Sequence, residues 1–133
     1  MKIYIASKYL EHKEINQNIY EALISEQIDA FLPKSINVDA ITEEEMLLVA
    51  ETCYNEIEQC DIILIVTPFG KSVSSEIGYT ISLKRNKQPK KMILFNQEQY
   101  EDTSLKKEAM IIPYIDAEVT SITELISHIK NQL

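Results

Sequence analysis

The feature that most constrains the fold is the aliphatic run DIILIV, from Asp61 to Val66. Its apolar residues do not alternate with polar ones, so the strand that they predict is covered on both faces. Strands of this kind lie in the middle of parallel sheets, where helices pack on each side. The run is also much shorter than a membrane-spanning helix, which needs about 18 residues or more. It therefore predicts the centre of an α/β domain.

Strand-like and helix-like segments alternate along the rest of the chain. Thr42 with Glu45, and Ser121 with Glu124, have the spacing of a capping box and predict the starts of two helices. Pro113 favours an edge position for the last strand, because proline cannot donate to the ladder. The predicted strands are 2–6, 28–33, 61–66, 90–96 and 110–115; the predicted helices are about 12–27, 42–59, 74–85 and 121–133, with a loop at 34–41 and a short helix within 97–109. The alternation predicts one parallel sheet with helices on both faces.

Composition narrows the classes of partner. The 133 residues suit a single domain, and a net charge of −8 disfavours binding to a nucleic-acid polymer. The two cysteines, Cys53 and Cys60, and the two histidines lack the spacing of a metal site, so we expect no metal. A helix would hold the two cysteines about 10 Å apart along its axis, too far for a disulfide, which predicts reduced thiols. With no signal peptide and no membrane segment in the sequence, we expect a cytoplasmic protein.

Two loops are the expected location of a binding site. In open parallel sheets, ligands bind beyond the carboxyl ends of the strands, where the strand order reverses. The loops there are SKYLE after the first strand and TPFGKSVSSE after the third. The second loop is neither a Walker A motif nor a dinucleotide fingerprint, since the chain has only two glycines, Gly70 and Gly78. Backbone N–H groups at the following helix start can still hold an anion or a sugar hydroxyl.

Glu76 has two interpretations at this point. In a first helical turn, a glutamate interacts favourably with the helix dipole, worth about 0.3–1 kcal/mol, and needs no function. At the carboxyl edge of a parallel sheet, the same carboxylate can attack an anomeric carbon and form a covalent glycosyl intermediate. The spacing alone favours the first interpretation.

Three segments change that balance. KIYIAS at the start, IEQCD before the central strand and SSEIGYTISLKRNKQPKKMILF after it resemble the nucleoside 2-deoxyribosyltransferase family and its deoxynucleoside-monophosphate N-glycosidase relatives. The resemblance covers residues 1 to about 110 and is most specific in EIGYT. It implies a flavodoxin-like, three-layer α/β/α fold with a mostly parallel five-stranded sheet. It also implies a small-molecule nucleoside or nucleotide as substrate, no cofactor, and a homodimer or higher homo-oligomer.

The resemblance also implies roles for particular residues. Glu76 corresponds to the nucleophile, and Tyr4 to the tyrosine that hydrogen-bonds it, although a core aromatic remains an alternative for Tyr4. The expected contacts of base and sugar in the first loop are Ser7, Lys8 and Tyr9, with a solvated surface lysine as the alternative for Lys8. Further substrate-binding candidates are Gly70, Lys71, Ser72, Ser74 and, near a subunit interface, Met110. Gly78 is expected to let its helix pack closely on the sheet.

The sequence departs from the family pattern at the positions that select the substrate. Cys53 stands where the family usually has an aspartate, and PFGKSVSS carries no carboxylate before Glu76. The serines and glycine are closer to the monophosphate hydrolases, and Lys71 is able to offset a 5′-phosphate. Glu108 replaces a small polar residue and would repel that phosphate. The prediction is an N-glycosidic bond-cleaving enzyme, a deoxyribosyltransferase or a hydrolase. The alternatives are a nucleotide-binding module without turnover and an NAD-cleaving glycohydrolase.

Overall fold

The computed structural model describes residues 1–33, 42–97 and 105–132, and within these ranges five strands form one sheet. The strands are β1 (Lys2–Ala6), β2 (Asp29–Phe31), β3 (Ile62–Val66), β4 (Lys91–Phe95) and β5 (Ala117–Val119). The α-helices are α1 (Lys13–Ser25), α2 (Glu43–Gln59), α3 (Lys71–Arg85) and α4 (Ile122–Lys130). Short 3₁₀ turns span Leu105–Lys107 and Ile112–Tyr114. The predicted loop at 34–41 lies outside the described residues.

The sheet is entirely parallel, with the strand order β2-β1-β3-β4-β5. β3 lies in the middle and is buried along its whole length, which confirms the prediction made from DIILIV. The chain passes from β1 to β2 on one side and then returns to β3 on the other side of β1. The strand order therefore reverses between β1 and β3, and the loops after these two strands meet at the switch point.

The two faces of the sheet build two hydrophobic clusters. α1 and α4 cover one face, where Ile3 and Ile5 of β1 are buried, while α2 and α3 cover the other. Because side chains alternate along a strand, Tyr4 points to the opposite face from its neighbours. Tyr4 belongs to the cluster that contains Ile57 of α2 and Ile77 of α3. The hydroxyl of Tyr4 is thus on the side of the sheet that carries Glu76.

Both predicted helix caps are confirmed at their N-terminal residues. Thr42 Oγ1 accepts a hydrogen bond from the Glu45 backbone N–H at 3.1 Å, and Ser121 Oγ accepts one from Glu124 at 3.1 Å. The carboxylate of Glu124 reaches one residue further back than a capping box requires. It accepts bonds from the backbone N–H and the hydroxyl of Thr120, at 2.6 and 2.9 Å. In the part of the chain described, no helix has the length and hydrophobicity to cross a membrane.

The predicted fifth strand at 110–115 is wrong. Ile112–Tyr114 form a 3₁₀ turn, and the fifth strand is Ala117–Val119, which pairs with β4 at the edge of the sheet. Pro113 accounts for the difference, because its fixed φ and missing N–H suit the start of a helical turn better than a strand. The short helix expected within 97–109 corresponds, among the described residues, to the 3₁₀ turn Leu105–Lys107.

The third helix begins three residues earlier than predicted, at Lys71 instead of Ser74. Gly70 is its N-cap residue, with no side-chain cap. Ser74 and Ser75, which suggest a loop in the sequence, lie inside the helix and donate their hydroxyls to the backbone carbonyls of Gly70 and Lys71, at 2.9 and 3.2 Å. Such bonds to the preceding turn let serine sit within a helix without an unsatisfied hydroxyl donor.

Candidate active site

Glu76 lies on the second turn of α3, because that helix starts at Lys71 and has no acidic residue in its first turn. The dipole interpretation, which needs Glu76 in the first turn, is therefore wrong. Glu76 is half-buried, and its Oε2 atom is fully buried without a hydrogen-bond partner among the described residues. A buried carboxylate oxygen without a partner costs free energy, so this side chain needs an explanation other than helix stability.

Tyr4 approaches Glu76 from the sheet. Its ring is completely buried in β1 and stacks on Phe31, with centroids 5.5 Å apart and planes inclined by 26°. Its hydroxyl likewise has no hydrogen-bond partner within residues 1–33, 42–97 and 105–132. Tyr4 is thus a core aromatic by its ring, whereas its hydroxyl is a polar group directed towards Glu76 and Cys53, both of which act on its pKa.

Burial sets the protonation of this pair. It raises the pKa of Glu76 to about 7, and the Tyr4 hydroxyl, which favours the charged carboxylate, offsets only part of that rise. Burial raises the pKa of Tyr4 far above its ordinary value, and the negative charge of Glu76 raises it further. Tyr4 therefore keeps its proton at neutral pH and is a hydrogen-bond donor beside a carboxyl group that titrates near neutrality.

A cavity of about 260 Å³ opens between α2 and α3 beside Glu76, and we call it the Glu76 cavity. The volume is slightly below the 300–1,000 Å³ or so that is usual for small-molecule sites, and it suits one part of a nucleotide. One side, the α2 wall, is mainly apolar; the other, the α3 wall, carries two hydroxyls and a carboxylate. The α2 wall is Met46, Val49, Ala50, Cys53 and Tyr54, and the α3 wall is Ser72, Ser75 and Glu76.

The predicted site residues fall into two groups around this cavity. Ser72 and Glu76 line it, and the Tyr4 hydroxyl lies behind it, next to Glu76 and Cys53. The others lie outside its lining, several of them at the surface, with Met110 75% exposed. These other residues are Ser7, Lys8, Tyr9, Gly70, Lys71, Ser74 and Met110.

The first loop and the start of α3 are nonetheless in contact. His12 Nε2 donates to the backbone carbonyl of Pro68 at 2.8 Å, which joins the start of α1 to the loop after β3. Lys8 pairs with Glu11 at 3.0 Å, and its Cε atom lies 3.3 Å from the position that a Cβ would occupy on Gly70. A side chain at residue 70 would therefore push on Lys8. Ser7 adds a further buried hydroxyl with no hydrogen-bond partner in the described ranges.

The expectation for Gly78 is wrong. It is exposed on α3, and a Cβ there would meet no atom within 4 Å. Close packing on the sheet therefore does not explain this glycine.

The α2 wall is the part of the site that the sequence did not predict. Met46, Val49, Ala50 and Cys53 recur at the helical spacing i, i+3, i+4 and i+7 and so form one stripe of the helix. The pattern predicts a stripe that faces the protein, but it does not distinguish a packed core from the wall of a cavity. Among the residues described, no group of three or more histidine, cysteine or acidic side chains is arranged to hold a metal ion.

The parallel sheet with its order 2-1-3-4-5 and helices on both faces defines a flavodoxin-like α/β protein. No family model and no curated protein matches the sequence. Among solved structures, the chain is similar to a 2-deoxyribosyltransferase of Bacillus psychrosaccharolyticus, with 17% identity and a TM-score of 0.73 over 94% of this chain and 90% of that one. It is also similar to a 2-deoxyribosyltransferase of Leishmania mexicana, with 17% identity and a TM-score of 0.69 over 99% of each chain.

A third similar structure is the CMP N-glycosidase of Clostridium botulinum, with 14% identity and a TM-score of 0.61 over 100% of both chains. At such identities the likeness establishes a common fold. The fold implied by KIYIAS, IEQCD and the segment around EIGYT is therefore confirmed, and it extends over nearly the whole chain.

Proposed function

We propose that the protein is an enzyme that cleaves the N-glycosidic bond of a nucleoside or nucleotide, with Glu76 as the nucleophile. The observation that carries this proposal is the half-buried Glu76 carboxylate on a cavity wall, with its Oε2 atom fully buried, beside the fully buried Tyr4 hydroxyl. Two solved structures of the same fold are 2-deoxyribosyltransferases and one is a CMP N-glycosidase, which supports this class of reaction.

In the proposed reaction, the ionised Glu76 attacks C1′ of the sugar. The bond between Glu76 and C1′ forms as the bond from C1′ to the base breaks, and the base leaves with the bonding electrons. A water molecule or a second base then attacks C1′ and releases the carboxylate. Tyr4 keeps its proton and donates towards Glu76, which orients the attacking oxygen and stabilises its charge.

The two walls suggest how the substrate lies. The apolar α2 wall offers side chains such as Met46 and Val49 to the flat face of a base. The α3 wall offers the Ser72 and Ser75 hydroxyls and Glu76 to a sugar. Since the hydroxyl proton of Ser75 is already donated to Lys71, its oxygen remains available as an acceptor. The first loop and the start of α3, with Lys8 and Lys71, are the proposed contacts for the remainder of the substrate.

The proposal includes a homodimer or higher homo-oligomer. Three consecutive apolar residues at the start of α2, Met46, Leu47 and Leu48, are 51%, 62% and 69% exposed, and Met110 is 75% exposed. Apolar side chains exposed in succession are typical of an interaction surface. Light scattering after size-exclusion chromatography tests this part: a monomer mass at micromolar concentration would contradict it. Leu47→Glu together with Leu48→Glu should lower the mass of an oligomer.

The experiment for the reaction is a base-release assay with nucleosides, nucleoside monophosphates and NAD. We expect release from at least one nucleoside or monophosphate and none from the Glu76→Gln variant. A 2′-fluorinated substrate that slows the second step should add the mass of its sugar moiety to the wild-type chain and leave Glu76→Gln unmodified. Base release by Glu76→Gln at the wild-type rate would remove Glu76 from the mechanism. Release from NAD alone would favour the glycohydrolase.

A second candidate function is a nucleotide-binding module without turnover. Cys53 favours it, because a neutral thiol occupies the cavity wall at the position where the resemblance implies an acid. Such a module would show a nucleotide-dependent rise in melting temperature, while prolonged incubation would release no base. Release of base in proportion to enzyme concentration would exclude it.

A further inference from the structure

Cys53 and Cys60 are both free thiols, but their surroundings differ. Cys53 is half-buried and belongs to the α2 wall of the Glu76 cavity. Cys60 is the C-cap residue of α2, two helical turns beyond Cys53, and has no exposed surface. A reagent that enters the cavity therefore reaches Cys53, whereas Cys60 is shielded by the core.

A second observation marks the same place as one that accommodates another molecule. Glu76 lines the same cavity as Cys53, and its Oε2 atom is buried with no hydrogen-bond partner in the described part of the chain. Buried polar atoms without partners are uncommon in folded proteins, and one on a cavity wall points to a group that is present only in the bound state. The thiol therefore stands in a polar cluster with capacity for a ligand.

We propose that Cys53 is a modification site, at which exchange with a small disulfide closes the cavity in front of Glu76. The Cys53 thiolate attacks one sulfur of the disulfide, a new sulfur–sulfur bond forms and the original one breaks. The released thiolate takes up the proton that Cys53 has lost, so the step needs no further oxidant. The attached group then occupies part of the 260 Å³ next to Glu76 and excludes the sugar or base.

The charge around Cys53 determines which disulfides should react fastest with its thiol. Burial, followed by the negative charges of Glu76 and Glu56, raises the pKa of the Cys53 thiol, although the Tyr4 hydroxyl opposes this. Exchange is therefore slow at neutral pH and faster at alkaline pH. Glu56 is paired with Lys2 at 2.7 Å, so the carboxylate that attracts a cation and repels an anion in the cavity is that of Glu76. A disulfide with ammonium groups should react faster than a neutral one, and one with carboxylates should be the slowest.

The test uses the intact protein at pH 8 with three disulfides of similar size: cystamine, bis(2-hydroxyethyl) disulfide and dithiodiglycolate. Acid-quenched samples are digested, and the modified cysteine is located by mass spectrometry. We expect at least a tenfold excess of adduct on Cys53 over Cys60, rates in the order given, and full reversal by dithiothreitol. Cys53→Ser should lose the adduct, whereas Cys60→Ala should keep it.

Equal modification of the two cysteines in the folded protein, or a reversed order of rates, would overturn the proposal. The effect on catalysis rests on the proposed function: the adduct should abolish base release, and dithiothreitol should restore it. Undiminished base release by a fully modified chain would also overturn the proposal. If the unmodified chain releases no base, that result counts against the proposed function alone, and the site and order of modification still decide the present inference.

Discussion

Tyr4 on β1 and Glu76 on α3 meet on the face of the sheet that α2 and α3 cover, and each has a buried oxygen without a hydrogen-bond partner in the described residues. Neither residue is near the other in sequence. Their proximity follows from the placement of β1 next to β3 and from the alternation of side chains along β1. This relationship makes the pair the part of the site with the most direct consequences for experiment.

Removal of the Glu76 carboxylate should abolish catalysis without loss of the fold. We expect Glu76→Gln to lower the rate of base release by about 10³-fold or more, because the covalent intermediate then cannot form. Glu51→Gln, at an exposed position of α2, is the matched control and should keep the wild-type rate. Circular dichroism should show the same helical content in both variants. Comparable rates for the two variants would exclude a nucleophilic Glu76.

The same substitution should change how stability depends on pH. Since the pKa of Glu76 rises from 4.5 to about 7 on folding, the unfolded chain ionises first as the pH increases. The wild type therefore loses stability between pH 4.5 and 7, by about 3 kcal/mol at most, and Glu76→Gln does not. Urea unfolding of both chains from pH 4 to pH 8 measures the difference. A constant difference across this range would show that Glu76 titrates normally.

Tyr4→Phe should distinguish the effect of the Tyr4 hydroxyl on Glu76 from the packing of the Tyr4 ring in the core. The ring and its stack on Phe31 remain, and only the hydroxyl beside Glu76 is removed, so stability should change by less than about 1 kcal/mol. Because the Tyr4 hydroxyl lowers the pKa of Glu76, its loss should shift the midpoint of the pH–rate profile to a higher pH. We also expect a rate about 10–100-fold lower. Tyr20→Phe, on the opposite face of the sheet, is the control and should leave the midpoint unchanged. An unchanged midpoint in Tyr4→Phe would show that the Tyr4 hydroxyl does not influence the ionisation of Glu76.

The two glycines should respond to alanine in opposite directions. Gly78 lies inside α3 with open space around it, so Gly78→Ala should raise the unfolding free energy by about 0.5–1 kcal/mol. Gly70 is an N-cap residue, a position that alanine fills poorly, and its Cβ would press on Lys8. Gly70→Ala should lower the unfolding free energy by about 0.5–1 kcal/mol. Thermal melting of the two variants measures both effects, and shifts of the same sign would contradict this prediction.

The sequence predicted the elements whose burial leaves a distinctive pattern. β3 is one, because a strand covered on both faces has an uninterrupted aliphatic run. The start of α3 was predicted too late, because the segment from Gly70 to Ser75 is rich in serine, which has a low helix propensity. In the structure, Ser74 and Ser75 lie within the helix and donate their hydroxyls to the carbonyls of Gly70 and Lys71. β5 escaped prediction for a different reason: a strand of three residues is too short to show an alternation.

The residues of the candidate site also differ in whether the sequence could predict them. Glu76 and Tyr4 could be selected from their positions after and within strands, and from a resemblance in the surrounding segments. The cavity wall on α2 could not, because a helical stripe such as Met46, Val49 and Ala50 looks identical whether it meets a packed core or an open space. Which of the two applies depends on the distance between α2 and α3, and no local pattern encodes that distance.

The reversal of strand order between β1 and β3 has a consequence for synthesis of the chain. A growing polypeptide that has reached Val66 already contains Tyr4, Cys53 and all of β3, yet it lacks Glu76 and the α3 wall. Glu76 and the α3 wall are added only after both strands of the switch point, β1 and β3, have been synthesised. A nascent or truncated chain that ends before Glu76 therefore has no partial form of the proposed activity.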